Sequence, residues 1–256
     1  MKKRGQATLF IILGIVLLIA IALIFFLRGN ILKTSLSPEE AISLLNSKTN
    51  PIREHIEECI DNVAPPGIKT LALQGGTLRP TSYTIYNGTQ VQYLCYKEPN
   101  TPTCIQNILT REDMELELNE YIKLQLVTCI DLSQFEDKRF TIRAGTLTVD
   151  TNVNDNNVQV NLDYPITLIS GSETTTISEF SSVIQLPLGK LHDLSINILN
   201  SEAEIGFFDN IDYMVQNKGA VFVERHTPYP DEVYVLYPRD ASIEFQVAIQ
   251  GEDTIP

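Results

Sequence analysis

Residues 9 to 27, LFIILGIVLLIAIALIFFL, hold nothing polar, and they follow closely on Lys2, Lys3 and Arg4. A helix rises about 1.5 Å per residue, so this run would reach roughly 28 Å, close to the roughly 30 Å of bilayer hydrocarbon. The sequence therefore predicts one transmembrane helix from Leu9 to Leu27. A cleavable secretory signal has a shorter apolar core, about 7 to 15 residues, and a small-residue cleavage site. Here the run ends in Phe25, Phe26, Leu27 and Arg28 instead, which predicts an anchor. The basic bias ahead of the span puts the N-terminus in the cytoplasm. The expected location is the cell membrane, single-pass, in contact with membrane lipid, with the C-terminal domain extracellular.

Charge agrees with that orientation. No Asp or Glu precedes residue 29, so all 32 acids and 15 of the 19 bases follow it, for a net charge of −17. Such a surface repels phosphate backbones, which need clustered Lys and Arg, and nucleic acid is not an expected partner.

An exterior location gives the four cysteines a meaning, because an even count outside the cytoplasm implies disulfides. Ile52, Ile56, Cys59, Ile60 and Val63 share one face at helical spacing, as do Leu118, Ile122, Leu126 and Cys129. Both sulfurs then point inward from helices that pack together, which predicts Cys59 with Cys129. Cys95 and Cys104 flank YKEPNTPT, a Pro- and Asn-rich turn short enough for a local bridge.

The pattern predicts an α+β architecture: the N-terminal transmembrane helix, then a helical segment and antiparallel β-sheet in one or more exterior domains. Residues 1–28 are the basic N-terminus and span, and 29–36 a linker. Residues 37–137 are a helix-rich, disulfide-linked subdomain, and 138–256 a strand-rich subdomain with a helical insertion. Ser37 as N-cap and Pro38 at the first helical position start one helix, which Pro51 should stop near Asn50. A second should run from Pro51 to Val63 and end at PPG, residues 65–67. Ser82–Tyr86 and Val91–Tyr96 read as a hairpin around Asn87-Gly88, and Thr110 with Asp113 as a capping box opening a helix to Ile130. Alternation at Leu147–Val153 and Val158–Leu168 gives a strand pair. Thr174–Leu186 is a further strand, and Leu188–Asn217 is mainly helical, with Phe207, Phe208, Ile211, Met214 and Val215 repeating three or four apart. Strands at Ala220–Glu224, Val233–Tyr237 and Ile243–Ile249 follow.

Chemistry-bearing motifs are scarce. His55, His192 and His226 form neither HExxH nor another metal spacing, no Ser lies in GxSxG, and no Gly-rich phosphate loop occurs. No catalytic residue, metal site or cofactor is therefore expected. DTNVNDNN, residues 150–157, carries the oxygen alternation of a calcium loop at Asp150, Asn152 and Asn154, but Asp155 stands where an EF-hand needs Gly. A polar hairpin turn accounts for it more readily. HTPYPDEVYVLYP, residues 226–238, has the Tyr and Pro content of a contact loop or of a Pro-stiffened connection. Asn87-Gly88-Thr89 is an N-glycosylation sequon at a hairpin tip.

The N-terminus resembles the class III signal of archaeal type IV pilins and related surface proteins. There a short basic segment ends in Gly, a membrane peptidase cuts after it, and the hydrophobic helix stays with the mature protein. KKRG before QATLF matches, implying a cut between Gly5 and Gln6. Many pilins carry Glu at the fifth mature position, where this sequence has Phe10. The rest of the chain resembles single-span archaeal surface proteins, for which no activity is implied. The expected function is a membrane-anchored, non-enzymatic cell-surface or envelope component that works through contacts with other surface proteins or copies of itself. A filament subunit processed after Gly5 is the alternative, and an exterior solute-binding protein or enzyme the third.

Overall fold

The computed structural model describes residues 14–22, 37–96 and 105–251. The expectation of an N-terminal transmembrane helix is corrected, because no helix among the described residues is long and apolar enough to cross a membrane. Of the apolar run, residues 14–22 are described, and they are helical. Leu9, Leu27, Gly5 and Gln6 lie outside the described residues, as does Cys104.

Helix α1 spans Pro38–Leu73. Ser37 caps it: its hydroxyl accepts the Glu40 amide at 3.3 Å, and the Glu40 carboxylate accepts the Ser37 amide at 2.9 Å. These bonds hold the Glu40 carboxyl below its usual range. Where the local rule predicts a break at Pro51 and an end at PPG, α1 runs through Pro51, Pro65 and Pro66. An interior proline costs a helix about 3 kcal/mol. The buried stripe Leu45, Ile52, Ile56, Cys59, Ile60, Ala64, Ile68, Leu71 and Ala72 continues across all three prolines on one face. Each fully buried aliphatic side chain contributes about 1.5–3 kcal/mol, so packing outweighs propensity. Gly67 ends nothing either. A Cβ there would meet the Tyr121 ring at 2.5 Å, so the missing side chain is what lets α2 approach α1.

After α1, β1 (Tyr83–Tyr86) and β2 (Thr89–Tyr96) form a hairpin, and β3 (Ile105–Gln106) pairs with the end of β2. Helix α2 (Arg111–Cys129) opens on the Thr110–Asp113 capping box and packs on α1. A second sheet follows. β6 (Val158–Ser170) is its centre, with β5 (Thr148–Val153) and β4 (Thr141–Ala144) sharing one side and β7 (Glu173–Ile184) along the other. α1 lies on β6 and β7, and α2 on β5. Helix α3 (Leu188–Ile205), the short α4 (Asn210–Gln216), and strands β8 (Val221–His226), β9 (Glu232–Pro238) and β10 (Phe245–Ile249) complete the chain.

The six-stranded sheet runs β1-β2-β10-β9-β8, with β3 beside β2. It is mixed where the sequence predicts antiparallel pairing, because β2, from the first half, runs parallel to β10 at the end. The α+β class holds, and the main core runs continuously from α1 and α2 through both sheets to α3. Arg111 ties three parts together: its guanidinium donates to the Asp155 and Asp193 carboxylates at 2.7 and 2.6 Å and to the Gly189 carbonyl at 3.3 Å. That joins the start of α2 to the β5–β6 turn and the start of α3.

Candidate functional site

Cys59 and Cys129 form the disulfide that the helical spacing predicts, with Cα atoms 5.8 Å apart. Cys95 is disulfide-bonded too. His55 lies on the α1 surface, against the Phe135 ring and 3.1 Å from the Gln134 amide, while Cys59 is buried in its bridge. The polar stretch 150–157 ends β5 and turns into β6, where Asn154 donates to Asn157 and Asp155 is taken by Arg111. Among the described residues no group of three His, Cys, Asp or Glu is arranged to hold a metal ion. A groove of about 610 Å³ runs past Arg53, Asp150, Asp163, Glu179, Phe180 and Ser181. The Arg53 guanidinium sits 5.1 Å over the Phe180 ring and donates to the Glu179 carbonyl. No histidine lines that groove to activate its hydroxyl groups.

The Tyr- and Pro-rich stretch 226–238 divides in two. Tyr229 is 76% exposed, whereas the strand that follows alternates, Tyr234 and Leu236 entering the main core and Val233 and Val235 a second, smaller one. That core holds Val91, Val233, Val235 and Ala248, with Tyr86, Tyr93 and Tyr237 against it. β1 and β8 end the strand order, and four strand steps of about 4.8 Å would part them by roughly 19 Å in a flat sheet. The Tyr86 and His226 rings are 5.3 Å apart, so the β1–β2 hairpin folds over the sheet face and covers it. Carboxylates anchor these rings. Tyr93 donates to Asp231 at 2.8 Å and Tyr237 to Glu224 at 2.6 Å. Burial, then the Asp231 bond, pushes the Tyr93 phenol up to about 12. The Tyr237 bond holds the Glu224 carboxyl below its usual range.

An exposed apolar surface lies where α3 ends and α4 begins. α3 stops at Gly206, in the left-handed conformation. Glu202 then accepts the Phe208 amide at 2.9 Å and the Tyr234 hydroxyl, turning the Phe208 ring inward onto Tyr213 and Tyr234. Burial, then Glu202, raises the Tyr234 phenol above its ordinary value. The Asp209 carboxylate accepts the Asp212 amide to start α4, and Asn210 donates to the Val223 carbonyl at 3.1 Å, fixing the back of α4 to β8. The junction is left bare: Ile205, Phe207, Ile211 and Val215 are 64, 50, 68 and 71% exposed. Ile211 and Val215 stand four apart on α4 and share one face; with Ile205 at the end of α3 and Phe207 in the connection they give this junction an exposed apolar ridge. From Leu191 to Asn217 there is no Lys or Arg, but Asp193, Glu202, Glu204, Asp209 and Asp212 occur.

A second strip, Leu116, Leu124 and Val127, lies on the outer side of α2 at 64 to 69% exposure, opposite its buried Met114, Leu118, Ile122 and Leu126. The repeat at Phe207, Phe208, Ile211, Met214 and Val215 shows in the sequence, but not which members face outward. Comparison with protein-family models, with curated proteins and with solved structures finds no match to this chain.

Proposed function

We propose that this chain is an extracytoplasmic, non-enzymatic protein that works through contacts at the cell surface, with the ridge Ile205–Phe207–Ile211–Val215 as its principal contact face. The ridge is the observation that carries the reading. Its backing is held in place by Asn210 and Glu202, and contiguous apolar surface of this kind marks interaction sites. The acidic segment around it suits a partner with an apolar centre and a Lys- or Arg-rich rim. The disulfides support the location, since such bonds persist in oxidising compartments.

The test is photo-crosslinking in the protein's own cells, with the reactive group at Ile211 and a control at exposed Thr176 on β7. A discrete adduct at Ile211 and none at Thr176 supports the reading. Equal or absent crosslinking at the two positions removes it.

One observation favours a second reading, a filament subunit. Residues 14–22 are helical and exposed, from 42% at Ile21 to 67% at Leu18 among their large apolar side chains, a surface suited to packing against copies. N-terminal sequencing that begins at Gln6, together with fibres in sheared surface fractions, would support it. A retained Met1 or Lys2 would exclude processing.

A further inference from the structure

We propose that Asn87 carries an N-linked oligosaccharide. Asn87-Gly88-Thr89 is the one Asn-x-Ser/Thr sequon without proline in the 256 residues. The structure sets it at the tip of the two-residue turn between β1 and β2, with Asn87 at φ 47 and Gly88 at φ 83. Only a side chain that stands clear of the protein can enter a transferase, and Asn87 does. It is exposed, it makes no hydrogen bond among the described residues, and nothing lies within 4 Å of where a Cβ on Gly88 would be.

The surroundings suit a sugar chain. Tyr86 turns to the small core while its neighbour Ile85 faces outward, 67% exposed. Ile85, Gly88, Thr89 and Gln90 border a groove of about 490 Å³ against Thr70, Leu73 and Gln74 at the end of α1. The first sugars can lay their apolar faces on Ile85 and reach the groove's amides with their hydroxyls.

The donor class is a lipid-linked oligosaccharide. The Asn87 amide nitrogen bonds to the anomeric carbon, the bond from that carbon to the lipid phosphate oxygen breaks, and the lipid phosphate leaves with the electron pair. The amide proton passes to a base of the transferase, and nothing is oxidised or reduced.

The inference rests on the exterior location, and the experiment separates the two. The full-length protein and its N87Q, T89A and T89S variants are purified from the protein's own cells, and the peptide containing Asn87 is weighed. The expected result is a mass excess of whole sugar residues on the native peptide, kept in T89S and lost completely in N87Q and T89A. An unmodified native peptide overturns the proposal. Protease added to intact cells is run in parallel. Cleavage of the domain with an unmodified Asn87 removes the glycan and leaves the location standing, whereas full protection removes both.

Discussion

The Tyr121 ring of α2 lies directly over Gly67 of α1, where a Cβ would come within 2.5 Å of two ring carbons. Alanine at an ordinary helix position gains about 1 kcal/mol over glycine. At residue 67 it must displace the ring, and overpacking of this kind costs about 1–3 kcal/mol. Gly67→Ala is therefore expected to lower the stability seen in denaturant unfolding, and a Tyr121→Ala background should remove that penalty. A stabilising Gly67→Ala would show that the helices are not in close contact there.

The Cys59–Cys129 bridge closes a loop of 70 residues in sequence separation. Loop-entropy arguments and measured removals place such a bridge at about 2–5 kcal/mol. Cys59→Ala with Cys129→Ala is expected to lose that much in equilibrium unfolding. An unchanged midpoint would mean that packing alone fixes α1 on α2.

Tyr93 gives the fold an alkaline limit. Burial and the Asp231 bond push its phenol up from its ordinary value near 10 to about 12. A raised folded value adds stability that is complete below about pH 10 and is lost as pH rises towards 12. Tyr93→Phe should lessen the loss of stability across that window, the other raised tyrosines keeping the rest, and it should cost about 1–3 kcal/mol at neutral pH by taking the phenol from the buried Asp231. An unaltered pH profile would remove the Tyr93–Asp231 bond from the account.

The ridge makes the opposite prediction about folding. Ile211→Ser with Val215→Ser changes two side chains that are about 70% exposed. Exposed substitutions away from special features stay within about 0.5 kcal/mol each. The double variant should fold as the native protein does and lose its crosslinked partner. A large loss of stability would show that the ridge is core.

These residues mark how far the sequence can be read. The N-cap at Ser37 and the capping box at Thr110 are local, and so is the Asn87-Gly88 turn, and each stands as predicted; the Glu40 half of the Ser37 box is seen only in the structure. The Cys59 and Cys129 faces were legible because both rest on one helical period. The continuity of α1 was not, because the proline rule acts within one turn whereas the burial that overrides it comes from β6, β7 and α2. The fold-over of the β1–β2 hairpin rests on Tyr86 meeting His226, 140 residues later, which no period encodes. For the ridge, spacing put Phe207 and Phe208 in one apolar set. The Glu202 bonds decide which of the two turns in.

Blocking thiols in intact cells before lysis, then mapping peptides without reductant, tests the exterior location most directly. The account predicts one species joining the Cys59 and Cys129 peptides, with neither cysteine blocked. Recovery of both as blocked thiols would place the domain in a reducing compartment and contradict the surface role.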